Sequence, residues 1–229
     1  MSLFAIGDPH LSFTADKPMD IFRGWQNYEE RLEKNWKKLI TEEDTVVVAG
    51  DISWAMNLED AVEDFRFLDS LPGQKLIMKG NHDFWWSTKK KSEEFFEENG
   101  FETLKILHNN AYRIGDVTVC GSRGWFFDCG GDKKVINREA QRLRLSIEEG
   151  KKLGGELIVF LHYPPVNTQE KCEEIFNVLK EEKISRCYYG HLHGYSCQSA
   201  VNGEYEGIKF SLISADFLEF CPKLVEKMP

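Results

Sequence analysis

Gly80-Asn81-His82-Asp83 stands between an apolar run, Lys75-Leu76-Ile77-Met78, and an amphipathic segment from Ser87 to Glu98. The run predicts a buried strand and the segment a helix that Ser87 would cap. A strand that opens through glycine into an amide, an imidazole and a carboxylate, and then a helix, puts those side chains at the carboxyl end of a sheet. That is where α/β proteins build their sites. Taken singly the stretch also fits a turn, because Gly-Asn and His-Asp are common turn residues.

The same pattern recurs on the N-terminal side. Leu3-Phe4-Ala5-Ile6-Gly7 runs into Asp8-Pro9-His10, and Thr45-Val46-Val47-Val48-Ala49 runs into Gly50-Asp51. β-branched runs of this kind are read as strands buried on both faces. A helix is expected from about Trp25 to Ile40, with Trp25, Tyr28, Leu32, Trp36 and Leu39 inward. A second, which Asn57 would cap, turns Leu58, Ala61, Val62, Phe65 and Leu68 inward. The first 83 residues therefore repeat strand, polar loop and helix, with a carboxylate, amide or imidazole after every strand.

Past Phe101 the pattern changes. Tyr112-Arg113-Ile114 and Val117 to Gly121 predict a hairpin turning at Gly115-Asp116. A loop, Ser122-Arg123-Gly124-Trp125-Phe126-Phe127, follows with a cation and aromatics, then a flexible stretch, Gly130-Gly131-Asp132-Lys133-Lys134. A helix is expected over Asn137 to Lys152, with Ala140, Leu143, Ile147 and Leu153 inward. The buried run Leu157 to Leu161 leads to His162-Tyr163-Pro164-Pro165, whose prolines end ladder pairing. A helix over 168–183 comes next, with Cys172, Ile175, Phe176 and Leu179 inward, and Cys187-Tyr188-Tyr189 runs into Gly190-His191-Leu192-His193-Gly194. Imidazoles flanking one residue in extended chain face the same side. Ile208 to Ser214 completes a sheet.

Composition narrows the class. The 229 residues are 41% hydrophobic and 29% charged, with no linker dividing them, so one domain over 1–229 is expected. A formal charge of −9 excludes a general nucleic-acid binder working through a basic surface, though not an anionic substrate met by a cation. The N-terminus reaches acidic residues too soon for a signal peptide and no run would span a bilayer, so a cytoplasmic protein is expected. Six cysteines (120, 129, 172, 187, 197, 221) are scattered and read as reduced thiols.

Five of the six histidines, 10, 82, 162, 191 and 193, lie just past expected strands, and only His108 stands apart. With Asp8, Asp51 and Asn81 they make eight side chains, more than one ion needs and suited to a two-metal site. No cysteine joins the set, which argues against structural zinc. In this order, Asp8-x-His10, Gly50-Asp51, Gly80-Asn81-His82-Asp83, His162 and Gly190-His191-x-His193 resemble the signature of the calcineurin-like metallophosphoesterases.

That resemblance implies a four-layer α/β/β/α sandwich of two mixed β-sheets flanked by helices. It implies a hydrolase of small or nucleotide-like phosphomonoesters or phosphodiesters. Asp8, His10 and His193 would hold one divalent ion, Asn81, His162 and His191 the other, and Asp51 would bridge. A metal-bridging hydroxide would attack, and His82 would be the general acid. The donor set fits Mn, Fe, Zn, Ni or Mg. Where protein phosphatases of the family carry Gly-Asp-x-x-Asp-Arg, this chain has Trp54 and Ala55 in the last two positions, which argues against protein-phosphatase activity. Arg123 is the candidate phosphate contact in compensation, or else a solvated loop arginine. Asp83 would orient His82 or cap the next helix. Trp85, Trp86, Trp125, Phe126 and Phe127 would stack an aromatic ester or pack beneath the loops. A non-catalytic scaffold on the same fold is the alternative, and the complete set of eight favours the enzyme. A metallo-β-lactamase-like hydrolase would need His-x-His-x-Asp-His, whose second half is missing after His193.

Overall fold

The structure, a computed structural model, describes residues 1–125 and 133–228. Its strands are β1 (Ser2–Ile6), β2 (Thr45–Val48), β3 (Gln74–Ile77), β4 (Leu104–Ile106), β5 (Ala111–Ile114), β6 (Val117–Ser122), β7 (Glu156–Leu161), β8 (Arg186–Tyr189), β9 (Gly203–Tyr205), β10 (Ile208–Leu212) and β11 (Lys223–Lys227). Its helices are α1 (Tyr28–Leu39), α2 (Val62–Ser70), α3 (Lys89–Glu98), α4 (Lys133–Leu153) and α5 (Glu173–Glu181). One sheet has the order β11-β1-β2-β3-β4 and the other β5-β6-β7-β8-β10-β9. β1 to β4 are parallel with β11 antiparallel at the edge, while β6, β7, β8 and β10 are parallel with antiparallel β5 and β9 outside them.

Side-chain alternation makes the layers. In β1, Leu3 and Ala5 join Val47, Leu76, Val119, Ile158 and Phe160 in a core between the sheets. Phe4 and Ile6 face the other way, with Val46, Val48, Leu32, Trp36 and Phe65, under α1 to α3. Val159 and Leu161 of β7 face Leu143, Ile147, Phe176 and Leu179 of α4 and α5. Strands covered on both faces have no polar side, so they read as unbroken apolar runs. This is the expected four-layer sandwich.

Several local expectations shift. Residue 27 sits in the left-handed region (φ 51°), so α1 begins only at Tyr28 and Trp25 is buried in the loop before it. Leu39 is exposed and Ile40 is buried in its place. Thr88, not Ser87, caps α3, its hydroxyl accepting the Lys91 N–H. The Asn57 side chain does accept the Asp60 N–H, but a 3-10 turn over Glu59–Ala61 comes before α2. The hairpin is as expected. Lys133 and Lys134 belong to α4 rather than to a loop, and Leu153 at its far end is exposed. α5 is shorter than 168–183 because Val166 and Lys171 pair across a small turn closed by Asn167. Residues 126–132, with Phe126, Phe127 and Cys129, lie outside the described residues. The other five cysteines are free.

Candidate metal centre

The carboxyl ends of β1, β2, β3, β7 and β8 converge, and each delivers side chains of the expected set. Two groups form there, Asp8 with His10 and His193, and Asp51 with His162 and His191, each with donor atoms within 4.8 Å of one another. Asn81 Oδ1 joins the second, 2.6 Å from His162 Nε2 and 2.9 Å from His191 Nδ1. Asp51 Oδ2 stands between the groups, 3.8 Å from His10 Nε2 and 3.5 Å from His162 Nε2. His10 Nε2 and His193 Nε2 face each other at 3.3 Å.

Four of these positions are on strained backbone that the surrounding hydrogen bonds hold in place. Asp8 (φ 57°), His10 (φ 48°), Asp51 (φ 49°) and His191 (φ 72°) all occupy the left-handed region, at about 1 kcal/mol or more apiece. The Asp8 N–H donates to the Gly50 carbonyl and the His10 N–H to the Asp51 carbonyl, stitching the first two loops together. Asp83 fastens the third. Its buried carboxylate accepts the N–H groups of Gly80 (2.7 Å), Asp51 (2.8 Å), Ile52 (2.8 Å) and Ser53 (3.3 Å), and the Trp85 indole N–H (2.9 Å). It neither orients the His82 ring nor caps α3, as the sequence alone allowed. A Cβ on Gly80 would collide with the Asp51 carboxylate and one on Gly190 with that of Asp8, so both glycines admit the close approach.

The electrostatics fit bound cations. Burial raises the carboxyls of Asp8 and Asp51 above their usual range, and mutual repulsion adds to the rise at Asp8. Burial lowers His10, with the neighbouring imidazoles adding to the effect, and pushes His162 down to about 3, so both stay neutral as ligands require. His162 Nδ1 lies 3.1 Å from the Ala49 carbonyl, which only accepts, so Nδ1 carries the proton and Nε2 turns a lone pair to Asn81 and Asp51. His193 Nδ1 likewise meets the Asp216 carboxylate at 2.8 Å. Among the described residues only His193, raised against its burial by Asp216, Asp8 and Asp51, offers the two buried acids a cation, and the lone pairs of His162 and Asn81 still face acceptors. Divalent ions would satisfy both.

Asp216 escaped the sequence analysis. It also accepts the Gly194 N–H (2.8 Å) and so fixes His193 through ring and backbone. A carboxylate following the run Leu212-Ile213-Ser214 is the same strand-end signal that marked Asp8 and Asp51. Trp54, in the sequence only a departure from the family pattern, stacks its ring on His10 (4.9 Å between centroids, 20° between planes) and lies 4.5 Å from that of His82. The His82 ring hydrogen-bonds to no described residue, so packing against Trp54 orients it. Its backbone N–H donates to Asp51 Oδ1 (2.7 Å).

Arg123 lies in neither group. Its guanidinium is 3.4 Å from buried Glu139 and sits over Trp125 (4.4 Å), while its carbonyl accepts the N–H groups of His162 and Tyr163. Trp85 is core, edge-on to Phe65 (4.8 Å), and Trp86 packs on Trp85 and His108. Aromatics against the centre include Trp54, Trp25, edge-on to both His10 and His193 (5.8 Å), and Tyr163, whose ring is 4.4 Å from that of His191 and 5.1 Å from that of His162.

His108 is a part-buried histidine away from the centre. Burial, reinforced by Arg142 and Lys79, pushes it down to about 4. The unfolded chain takes a proton near pH 6.5 while the folded chain does not, so stability is lost as pH falls from 6.5 toward 4. Discounted for partial exposure, the effect is on the order of 1 kcal/mol. Urea midpoints of the protein and of His108→Asn between pH 7 and pH 4.5 should therefore converge as pH falls. Parallel curves would clear His108 of any such role.

A four-layer sandwich with paired carboxylate–imidazole groups at its strand ends defines the metallophosphoesterase class. The chain belongs to the calcineurin-like phosphoesterase family, whose model matches residues 1–195. Among solved structures it is similar to a protein of unknown function, AQ665, from Aquifex aeolicus, with 18% identity over 97% of this chain and 94% of that one, TM-score 0.55. It is similar to TT1561 of Thermus thermophilus, at 13% identity over 86% and 85%, TM-score 0.56. A phosphopantetheinyl hydrolase from Mycobacterium tuberculosis matches at 13% identity over 100% and 96%, TM-score 0.54. At these identities the likeness is one of fold. No curated protein matches the chain. Among the described residues no helix is long and apolar enough to cross a membrane.

Proposed function

We propose that the chain hydrolyses small phosphoesters with two divalent ions, one held by Asp8, His10 and His193, the other by Asn81, His162 and His191. Asp51 serves both. The position of Asp51 Oδ2, within 4 Å of a ring nitrogen from each group, carries this reading. When bound, the ions supply a polarising charge on the phosphoryl group and a water made acidic enough to attack. The chain's own residues do the rest. Ala49 and Asp216 hold the protons on Nδ1 of His162 and His193 and so keep both Nε2 atoms turned inward. His82 is outside both groups, held by Trp54 beside His10, and gives a proton to the departing oxygen. Oxygen and imidazole donors suit Mn, Fe, Zn, Ni or Mg.

Asp51→Asn tests the reading. One carboxylate serving two ions loses charge at both sites, so bound metal and turnover of p-nitrophenyl phosphate should fall in parallel. A variant that keeps two ions per chain would rule out Asp51 as the bridge.

A further inference from the structure

A cavity of about 380 Å³ opens beside the centre. His10, His82 and His193 form its inner end, and no member of the Asp51, His162 and His191 group reaches it. It therefore lies over one ion position and along His82. Its walls are Met19, Phe22, Trp25 and Trp54, an apolar lining where an enzyme for plain inorganic phosphate needs none. Phe22 is 52% exposed, apolar surface kept open to solvent at the rim of the site. Arg23 lines the same rim, and Lys17 holds its ammonium 5.6 Å from the Trp54 ring. Neither cation forms an ion pair among the described residues. Asp16 and Asp20 are in the same loop and, like Lys17, do not line the cavity. In a chain of net charge −9, the one charged side chain that lines this apolar pocket apart from its histidines is a cation, Arg23.

We infer that this cavity receives the ester group of the substrate, and that this group is an apolar, ring-sized body bearing a second anionic substituent that meets Arg23. The inference rests on the hydrolase reading in one respect: His82 protonates the leaving oxygen, so what lies behind that oxygen continues past His82 into the cavity. An apolar ring displaces water from Met19, Phe22 and Trp54, and burial of a ring of this size is worth at least tenfold in affinity. An anion at the exposed Arg23 adds less, about threefold, because water screens it.

Three non-hydrolysable probes read these contributions as binding rather than turnover. Calorimetric titration of the manganese-supplemented protein with methylphosphonate, 2-naphthylmethylphosphonate and its 6-sulfo derivative should give Kd falling in that order. Phe22→Ser should remove most of the naphthyl gain, and Arg23→Ala only the sulfonate gain. Both residues are exposed, so neither substitution threatens the fold. Equal Kd values for the three probes, or gains that survive both substitutions, would overturn the inference even if phosphoesters are turned over. The expected order with both variant effects, in a protein that hydrolyses no phosphoester with any of the candidate metals, would uphold the pocket and sink the hydrolase reading instead.

Discussion

Asp83→Ala is expected to destabilise the protein by about 3 kcal/mol or more, because several buried N–H donors lose their acceptor together at about 1–3 kcal/mol each. Its carboxylate is 1% exposed and accepts five N–H groups, four of them from the backbone of the two loops that carry Asp51 and His82. Alanine leaves those donors buried without acceptors and unpins Asp51, whose left-handed backbone (φ 49°) has no local preference to keep it there. Metal content should fall with stability. Asp83→Asn keeps one acceptor oxygen but turns an NH₂ group toward N–H donors, so it should fall between the two. Urea denaturation followed by tryptophan fluorescence gives the stability, and metal analysis of the folded variant gives the occupancy. An alanine variant within about 1 kcal/mol of the parent, fully loaded, would show that water replaces the carboxylate at this junction.

His82→Ala is expected to slow hydrolysis of an alkyl phosphoester by about 10²–10⁴-fold, the usual contribution of a placed general acid. The p-nitrophenyl counterpart should lose far less, because a stable phenolate departs without a proton while an alkoxide does not. The ring has no polar partner among the described residues and touches Trp54 and His10, so its removal leaves both ligand groups whole. Both variant and parent should therefore bind the same amount of metal. Equal losses on the two substrates at equal metal content would take the proton-donor role away from His82 and leave it an electrostatic one. Trp54→Leu offers a second view. If packing against the indole orients His82, the leucine variant should show the same dependence on leaving group, in weaker form.

These expectations turn on how the site is built. Its candidate ligands stand on short strand-end loops, four of them on left-handed backbone, and such conformations persist only when surrounding bonds over-determine them. The Asp83 cluster, the loop-to-loop bonds of Asp8 and His10, and the paired acceptors Ala49 and Asp216 supply that constraint. Burial of Asp8 and Asp51, with a single imidazole, His193, raised toward the charged form beside them, leaves the centre favouring positive charge from outside.

The sequence by itself determined the buried strands and the candidate ligand types at their ends, while the four-layer sandwich was what the family resemblance implied. Strands buried on both faces must be apolar throughout, so Val46 to Ala49 and Leu157 to Leu161 announced themselves, and polar residues after every such run could only be at a sheet end. Short edge elements did not announce themselves. β4 has three residues, and β11, Lys-Leu-Val-Glu-Lys, is half polar because only one of its faces is covered. The tertiary structure alone decided the partners. Asp83 sits beside His82 in the chain yet serves Asp51 32 residues away, and Trp54 turned out to hold His82 from a different loop. Arg123 met Glu139 rather than the centre, and Asp216 met His193 across 23 residues. Residue type records what chemistry a side chain carries. Its direction is set by backbone dihedrals and by contacts between segments distant in sequence, and these exist only once the two sheets have packed.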